Sequence, residues 1–488
     1  MTPVQVNVAL IGGGVACGAL LSALAQRRTE ADVLSRVALT VFEPSDELGT
    51  GVTYGPKSGD RTLTITPMRE VLPSGVLGDF GAWLTRSPER GLLGETSGAE
   101  VDPVGARYLP RRVVGRFLKE RVARAVAALG KMGVAVEHRR KAILKVRPAA
   151  GGVRVFDGAA YAEFDAVVLM NGTPKSPHGS GLADSLQASD HYISDLYSPG
   201  IDQNVNRILS RCRRAGGTTV VAIGTNASSV EAGYLLADAI QSGLVRFHAV
   251  SASGRWPAIL GAKCRPPFGV SDVAQPTSGM ALRRRPLLTQ DERVRSVHAC
   301  LARGDLDAAL EVYRSIATAL DGASHQARDD AINFVLPAVV DAIRRVGGPY
   351  AERLSVLSDC GLLRTTAGVV ESISGSRDGY PLLLRLEDGS GIEADFVIDA
   401  AGWGGMRRNN NLAAELLSAF EKMEVSPGGR GLRVSPDFMA EERILVFGPL
   451  LAGMNTAEHR LWHLESTANI YRLADPVASA FVKLVATL

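Results

Sequence analysis

A chain of 488 residues, 46% apolar and 22% charged, has room for two or three buried cores and the balance of an ordinary globular protein. Its net charge of +3 is too small to argue for nucleic acid or a membrane surface as a partner. The five cysteines, Cys17, Cys212, Cys264, Cys300 and Cys360, include no C-x-x-C pair, which speaks against a disulfide framework or a zinc site and suits a reducing compartment. His459 and His463 have metal spacing but read as structural, and no metal is expected. The start of the chain lacks the pattern of a signal peptide, and no apolar run reaches bilayer length. These features together predict a cytoplasmic protein.

The first element is the uncharged run VNVALIG, Val6 to Gly12, which has the composition of a parallel strand buried on both faces. It runs into Gly12, Gly13 and Gly14, and then VACGALLSALAQ places small apolar residues at helical spacing. Strand, glycine turn and helix are the context in which a glycine pattern binds a nucleotide. Gly12 permits the tight turn and Gly14 lets the backbone approach a pyrophosphate, while Val15, Ala16 and Cys17 open the helix and offer N–H donors. Cys17 takes the third glycine's place in G-x-G-x-x-G. The next strand, RVALTVFEPS, ends at Glu43, where a carboxylate accepts hydrogen bonds from ribose hydroxyls. The gap from Gly14 to Glu43 exceeds the usual ~20 residues because of the polar insert RRTEADVLSR. Spacing leaves FAD and NAD both open.

The segments FEPSDELGTGVTYG, TLTITPMREVLPSGVLGDFGAWL, YLPRRVVGRFLKERVARAV and FDAVVLMNGTPKSP follow one another. In that order they resemble the YdhS-like FAD/NAD(P)-binding flavoproteins, relatives of the class B flavin monooxygenases and the amine N-hydroxylases. The resemblance implies FAD as the first nucleotide, held by the glycine loop, Glu43, Gly49, Thr66 and the return turn at Asn171 and Gly172. It also implies that TITPMRE lies beside the flavin, with Met68 and Arg69 as flavin-side residues; Met68 is alternatively core filling. Arg111 and Arg112 match a P-x-R family segment, in which one arginine grips a phosphate or substrate carboxylate, or else forms a structural ion pair.

GGTTVVAIGTNASSVEAGYLLADAI repeats the strand–turn–helix grammar. It is similar to the G-[ST]-G-Q-S-A-x-E segment that binds the nicotinamide nucleotide in N-hydroxylases. The resemblance assigns NAD(P)H to Gly224, Thr225, Asn226, Ser228 and Ser229, with Glu231 completing the motif. Asn226 stands where the second glycine is expected, tolerant of left-handed backbone but bulkier toward a pyrophosphate. The strand VRFHAVS is followed by Ala252 and Ser253 where relatives carry arginines for a 2′-phosphate, and Arg255 lies two residues further on.

The expected architecture is α/β with two Rossmann-like dinucleotide-binding domains. Residues 1–190 and 386–488 form a discontinuous FAD domain, and residues 191–385 form an inserted NAD(P)-binding-like domain. Within the latter, a helical insertion at about 262–350 is either a substrate lid or plain packing. The arginine run Arg283 to Arg285 within that insertion reads as solvated surface. ADFVIDAAG resembles the family's second return strand, assigning Gly402 to the FAD site. The final stretch ERILVFGPLLAGMNTAEH adds Gly448, Asn455 and Thr456, the last two as caps of a helix aimed at the flavin.

No Ser–His–Asp, paired-carboxylate or metal constellation stands out, as suits chemistry carried by a flavin. The resemblance implies a monooxygenase that uses FAD, NAD(P)H and molecular oxygen to hydroxylate nitrogen or carbon of a small amino-acid-like or biosynthetic intermediate through a flavin hydroperoxide. The Baeyer–Villiger segment is missing, and Arg69 replaces the lysine with which N-hydroxylases grip ornithine. Two alternatives stand beside this reading: an oxidase or dehydrogenase reduced directly by its substrate, with a vestigial second site, and a non-catalytic flavin-bound interaction protein. Oligomer formation is open.

Overall fold

The computed structural model describes residues 5–93, 104–173, 189–259, 345–375, 382–402, 406, 412–426, 431–452, 454–455, 460–461 and 466–488. The predicted first strand is β1 (Val6–Ile11), and all of it but Asn7 is buried. It pairs in parallel with β2 (Val37–Phe42) on one side and β7 (Ala166–Leu169) on the other. Strand β3 (Ala135–Arg139) extends the sheet beyond β2. Beyond β7 lie β19 (Ile444–Val446), parallel, and β18 (Met439–Glu441), antiparallel at the edge. The sheet order is therefore β18-β19-β7-β1-β2-β3, joining chain segments nearly 300 residues apart. Between β3 and β7 the chain forms the antiparallel meander β4 (Lys145–Ala149), β5 (Gly152–Phe156) and β6 (Tyr161–Phe164).

The second sheet repeats this plan. Strand β9 (Thr218–Ile223) takes the place of β1, flanked in parallel by β10 (Val245–Ser251) and β17 (Phe396–Asp399). Strand β13 (Leu363–Ala367) stands outside β10, and the short β8 (Tyr192–Ile193) outside β17. A second antiparallel meander, β14 (Val370–Gly375), β15 (Leu382–Leu386) and β16 (Gly391–Ala394), precedes β17 as the first precedes β7. Both sheets thus have a central strand, a glycine turn, a following helix and a meander before the return strand.

Strands β16 and β17 move one predicted boundary. Their residues were expected in the returning FAD segment that begins at 386, yet β17 hydrogen-bonds with β9 in the second sheet. The chain rejoins the first sheet only at β18. The physical reason is that both return strands are short, uncharged on the inside and followed by a small residue and glycine, so the sequence pattern serves either sheet.

The chain forms one unit of Met1–Trp256, Gly348–Thr456 and Arg460–Leu488, holding both sheets, and another of Pro257–Gly347 with Ala457–His459. In the latter, β11 (Ala258–Ile259) pairs in parallel with β12 (Arg345–Val346). The expected helices of the insertion, Arg283 to Arg285, Cys264, Cys300, Thr456, His459 and His463 lie outside the described residues.

The helices that matter for the site follow the glycine turns. Helix α1 (Val15–Leu24) follows the first turn and is buried at nearly every position, which its small and aliphatic residues allow. Its outer side is covered by α2 (Arg111–Lys131), whose Val122 touches Gly18 and Gly49, and by the C-terminal helix α7 (Thr467–Thr487). Helix α3 (Ile201–Ala215) leads into β9, α4 (Ala227–Leu235) follows the second glycine turn, and α5 (Gly348–Asp359) packs on α4. Helix α6 (Leu412–Ala419) packs on β4. Phe481 of α7 is fully buried in the core of the first sheet. Phe481→Ala should destabilise the protein by about 3–5 kcal/mol in equilibrium urea unfolding. Val356, which is 53% exposed, serves as the control: its truncation should cost under about 0.5 kcal/mol.

Candidate functional site

The first loop is built by a close approach of two backbones. Gly12 has φ of 101° and its N–H donates to the Phe42 carbonyl at 3.0 Å. A Cβ there would stand 2.4 Å from the Met170 carbonyl oxygen at the end of β7. Gly13 N–H donates to Glu43 Oε2 at 2.9 Å, and Ser45 N–H donates to Oε1 at 2.9 Å. The carboxylate at the end of β2 is thereby aimed across the glycine loop, with lone pairs left for further donors. Gly14 caps α1 with no side-chain hydrogen bond, and the first turn holds no acidic residue. The amides of that turn are therefore available to an anion. Gly49 N–H donates to Gly13 O at 2.7 Å, and Gly51 lies against Gly14. Gly448, with φ of 80°, faces Ala16 of α1, where a Cβ would meet Ala16 Cβ at 2.9 Å. These residues form one cradle of backbone donors, glycines and one acid, and the donor set fits a dinucleotide.

The second loop copies the first. Gly224 has φ of 100°, its N–H donates to Val250 O at 2.6 Å, and a Cβ would lie 2.3 Å from the Ala400 carbonyl oxygen. Superposing the hydrogen-bond patterns puts Thr225 opposite Gly13, Asn226 opposite Gly14 and Ser251 opposite Glu43. Asn226 has φ of −82°, so its position needs no left-handed backbone, contrary to the expectation drawn from the missing glycine. Its backbone matches that of Gly14, and its side chain distinguishes it. Thr225 Oγ1 donates to Ser251 Oγ at 3.2 Å, and Ser229 Oγ donates to Gly224 O at 2.6 Å, so both predicted side chains fasten the loop itself. Ser228 is half-buried in the first turn, while Ser253 and Arg255 are exposed beyond β10.

Ser251 is the residue that sequence reasoning missed. The pattern of relatives pointed to Ala252 and Ser253, but the strand register alone identifies the residue matching Glu43. The signal was available in the alignment of VVAIG and VRFHAVS as paired strands, which spacing from the glycine does not give.

A buried ion pair joins the neighbourhoods of the two loops. Arg111, the first residue of α2, donates from Nη2 to the Glu231 carboxylate of α4. Its Nε donates to Leu63 O at 3.1 Å and its Nη1 to the Tyr197 hydroxyl at 3.3 Å. Tyr197 in turn donates to the other Glu231 oxygen. The Tyr350 hydroxyl accepts from Leu63 N–H at 2.8 Å and donates to Leu63 O at 3.0 Å. Glu231 is fully buried and Arg111 nearly so. Burial works most strongly against the Arg111 charge, but Glu231, Tyr197 and Tyr350 together outweigh it and hold the guanidinium protonated. Burial raises the Glu231 carboxyl above the usual carboxylate range, and Arg111 and Tyr197 pull it back.

Three expectations change. Arg111 does not grip a cofactor phosphate, because its guanidinium is enclosed and committed to protein acceptors. Arg112 likewise holds Glu47 and the Tyr54 carbonyl, each at 2.9 Å. Gly402 belongs to the second sheet's return turn after β17, not to the FAD site. Met68 is fully buried with Leu72, Phe80 and Phe117. Protein atoms alone cover Met68, so it is a core residue rather than a group presented to a ligand. Arg69 beside it is exposed and Thr66 half-buried, while Asn171 is exposed at the end of β7 next to Gly172, whose φ is 77°. Asn455 lies on a two-residue strand paired with Arg460.

Residues 9–174 match the family model described as FAD-NAD(P)-binding. The match takes in the first glycine loop, Glu43 and the return turn at Asn171 and Gly172. An uncharacterized protein of Mycobacterium tuberculosis is 26% identical, with 99% of this chain and 96% of that protein covered. The ornithine hydroxylase of Pseudomonas aeruginosa has a similar fold, at 14% identity and TM-score 0.57, covering 99% of both chains. The ornithine N-hydroxylase of Kutzneria sp. 744 gives 13% identity and TM-score 0.57, again covering 99% of both. At these identities the likeness is one of fold, and it spans both sheets. Among the described residues no helix is long and apolar enough to cross a membrane, and no group of three His, Cys, Asp or Glu is placed to hold a metal.

Cys17 is sealed inside α1, where burial first and the Glu43 charge second push its thiol up to about 12. Its thiolate is therefore scarce near neutrality. Iodoacetamide at pH 8 should label the exposed Cys360 of the native protein and spare Cys17 and the buried Cys212. A peptide map showing Cys17 alkylated as fast as Cys360 would contradict this arrangement.

Proposed function

We propose that the protein is an NAD(P)H-dependent FAD monooxygenase that hydroxylates a small amine-bearing or amino-acid-like substrate with molecular oxygen. The observation that carries this reading is the duplicated loop: two glycine turns of matching geometry, each at the carboxyl end of its own parallel sheet. A resident flavin and a nicotinamide donor require two such sites. The fold likeness to two ornithine hydroxylases supports the reaction class.

On this reading the amides at the start of α1 and the Gly14–Gly51 contact receive the FAD pyrophosphate, and Glu43 accepts the ribose hydroxyls. FAD, when bound, supplies the electron transfer and oxygen chemistry that the side chains do not. The second loop takes the nicotinamide nucleotide on the first turn of α4. Ser251 replaces the ribose-binding acid with a neutral hydroxyl, so no carboxylate repels a 2′-phosphate. Arg255 is an exposed cation four residues beyond Ser251 in the chain. The same features favour NADPH over NADH.

A second reading, an oxidase or dehydrogenase reduced directly by its substrate, is favoured by Asn226, whose side chain stands at the place of Gly14 and crowds a pyrophosphate. Anaerobic titration with NADPH and with NADH, following the flavin absorption band, separates the two. Bleaching by NADPH is expected; a band that stays oxidised with both would sink the monooxygenase reading and turn the search to substrates that reduce the flavin themselves. In the reducible enzyme, Ser251→Asp should raise KM for NADPH by about tenfold or more, because a carboxylate about 4 Å from a phosphate is repelled. KM for NADH should change far less. Equal effects on both nucleotides would count against Ser251 as the discriminating position.

A further inference from the structure

Resting on that reading, we infer that Glu231, held by Arg111 and Tyr197, is a positioning residue for flavin reduction: it fixes the second nucleotide loop against the flavin-side segment. Glu231 lies five residues beyond Asn226 on α4. At 1.5 Å per residue, that is little more than one turn from the amides that would meet the nicotinamide nucleotide's pyrophosphate. Helix α4 is short and begins directly at the loop, so a shift of Glu231 carries the loop with it.

At the other end of the pair, Arg111 opens α2 behind Pro110 and clasps the Leu63 carbonyl. The same peptide is gripped on both its N–H and its C=O by the Tyr350 hydroxyl. Leu63 immediately precedes Thr64, whose N–H donates to Leu109 O at 2.9 Å, and so leads into the segment Thr64 to Glu70 expected beside the flavin. One arginine therefore touches, through two of its nitrogens, the helix of the second loop and the entry to the flavin-side segment. Tyr197 and Tyr350 occupy the remaining directions.

The choice of a charged pair is informative. Two well-packed apolar side chains would join these elements at equal or lower cost in stability, because burying both charges is expensive. An apolar contact slides, whereas a guanidinium–carboxylate pair with a tyrosine on the second oxygen sets both distance and orientation. Electron transfer from a nicotinamide to a flavin depends on that kind of geometric control.

The test uses the full-length FAD-loaded protein and two variants, Glu231→Gln and the apolar double substitution Arg111→Leu with Glu231→Leu. Bound FAD per chain and reduction by dithionite report whether the flavin site is intact. Anaerobic stopped-flow with increasing NADPH then separates nucleotide affinity from the limiting rate of reduction. The expected result is normal FAD content and dithionite reduction, an apparent Kd for NADPH within about threefold of the unsubstituted protein, and a limiting rate at least tenfold lower in both variants. A purely structural pair would change FAD content or thermal stability without that split. An unchanged limiting rate in Glu231→Gln overturns the inference, and so does loss of FAD from both variants, which would make the pair a folding element. If the unsubstituted protein itself is not reduced by NADPH or NADH, the proposed function fails, independently of how the variants behave.

Discussion

At both glycine turns a carbonyl oxygen of the return strand's end occupies the space where a side chain would begin. Met170 O sits 2.4 Å from the place of a Gly12 Cβ, and Ala400 O sits 2.3 Å from that of Gly224. Both glycines also have φ near 100°, which other residues adopt only under strain. This close approach lets the central strand end level with its returning neighbour and turns the chain sharply into a helix. The uncapped amides of the helix then lie at the sheet's carboxyl edge. What is proposed for the two sites follows from it: the uncapped amides of the first turn and the acid or hydroxyl on the next strand facing the loop.

The two loops share their backbone and differ in the groups attached to it. At the first, Gly49 and Gly51 press against Gly13 and Gly14, and α2 closes behind them through Val122. At the second, Thr225, Ser229 and Ser251 secure the turn with their own hydroxyls. A loop that spends its side chains on itself retains its shape without a ligand. That property suits a site that fills and empties, whereas the glycine-walled first cradle suits a group that stays.

Much of this was legible in the sequence because it is local. Buried parallel strands read as VNVALIG and TTVVAIG, and glycine followed by a small-residue helix carries the turn chemistry in a few letters. What was not legible depends on pairing between distant segments. Arg111 and Glu231 are separated by 120 residues, and nothing in either segment announces the other, so an arginine in a P-x-R context read as a phosphate ligand. Ser251 became visible only through the register of β10 on β9. Gly402 and β17 were assigned to the wrong sheet because the same short apolar return motif serves both. Met68 could be a flavin neighbour or core filling by its chemistry, and only packing against Phe80 and Phe117 decides between them.

The duplication also explains why one buried charge pair can matter to both halves. Each sheet is a Rossmann-like layer with its own meander, and each glycine turn hydrogen-bonds to a strand of its own sheet. Nothing in that local grammar sets the distance between two cofactors, since each loop refers only to its own strands. The distance has to come from a contact between the layers. Arg111 reaches from the helix covering the first sheet to the helix following the second glycine turn, and it does so with the one side chain whose donors fix direction as well as separation. A fold assembled from two copies of a nucleotide-binding unit needs such a cross-link wherever the two ligands must react with each other.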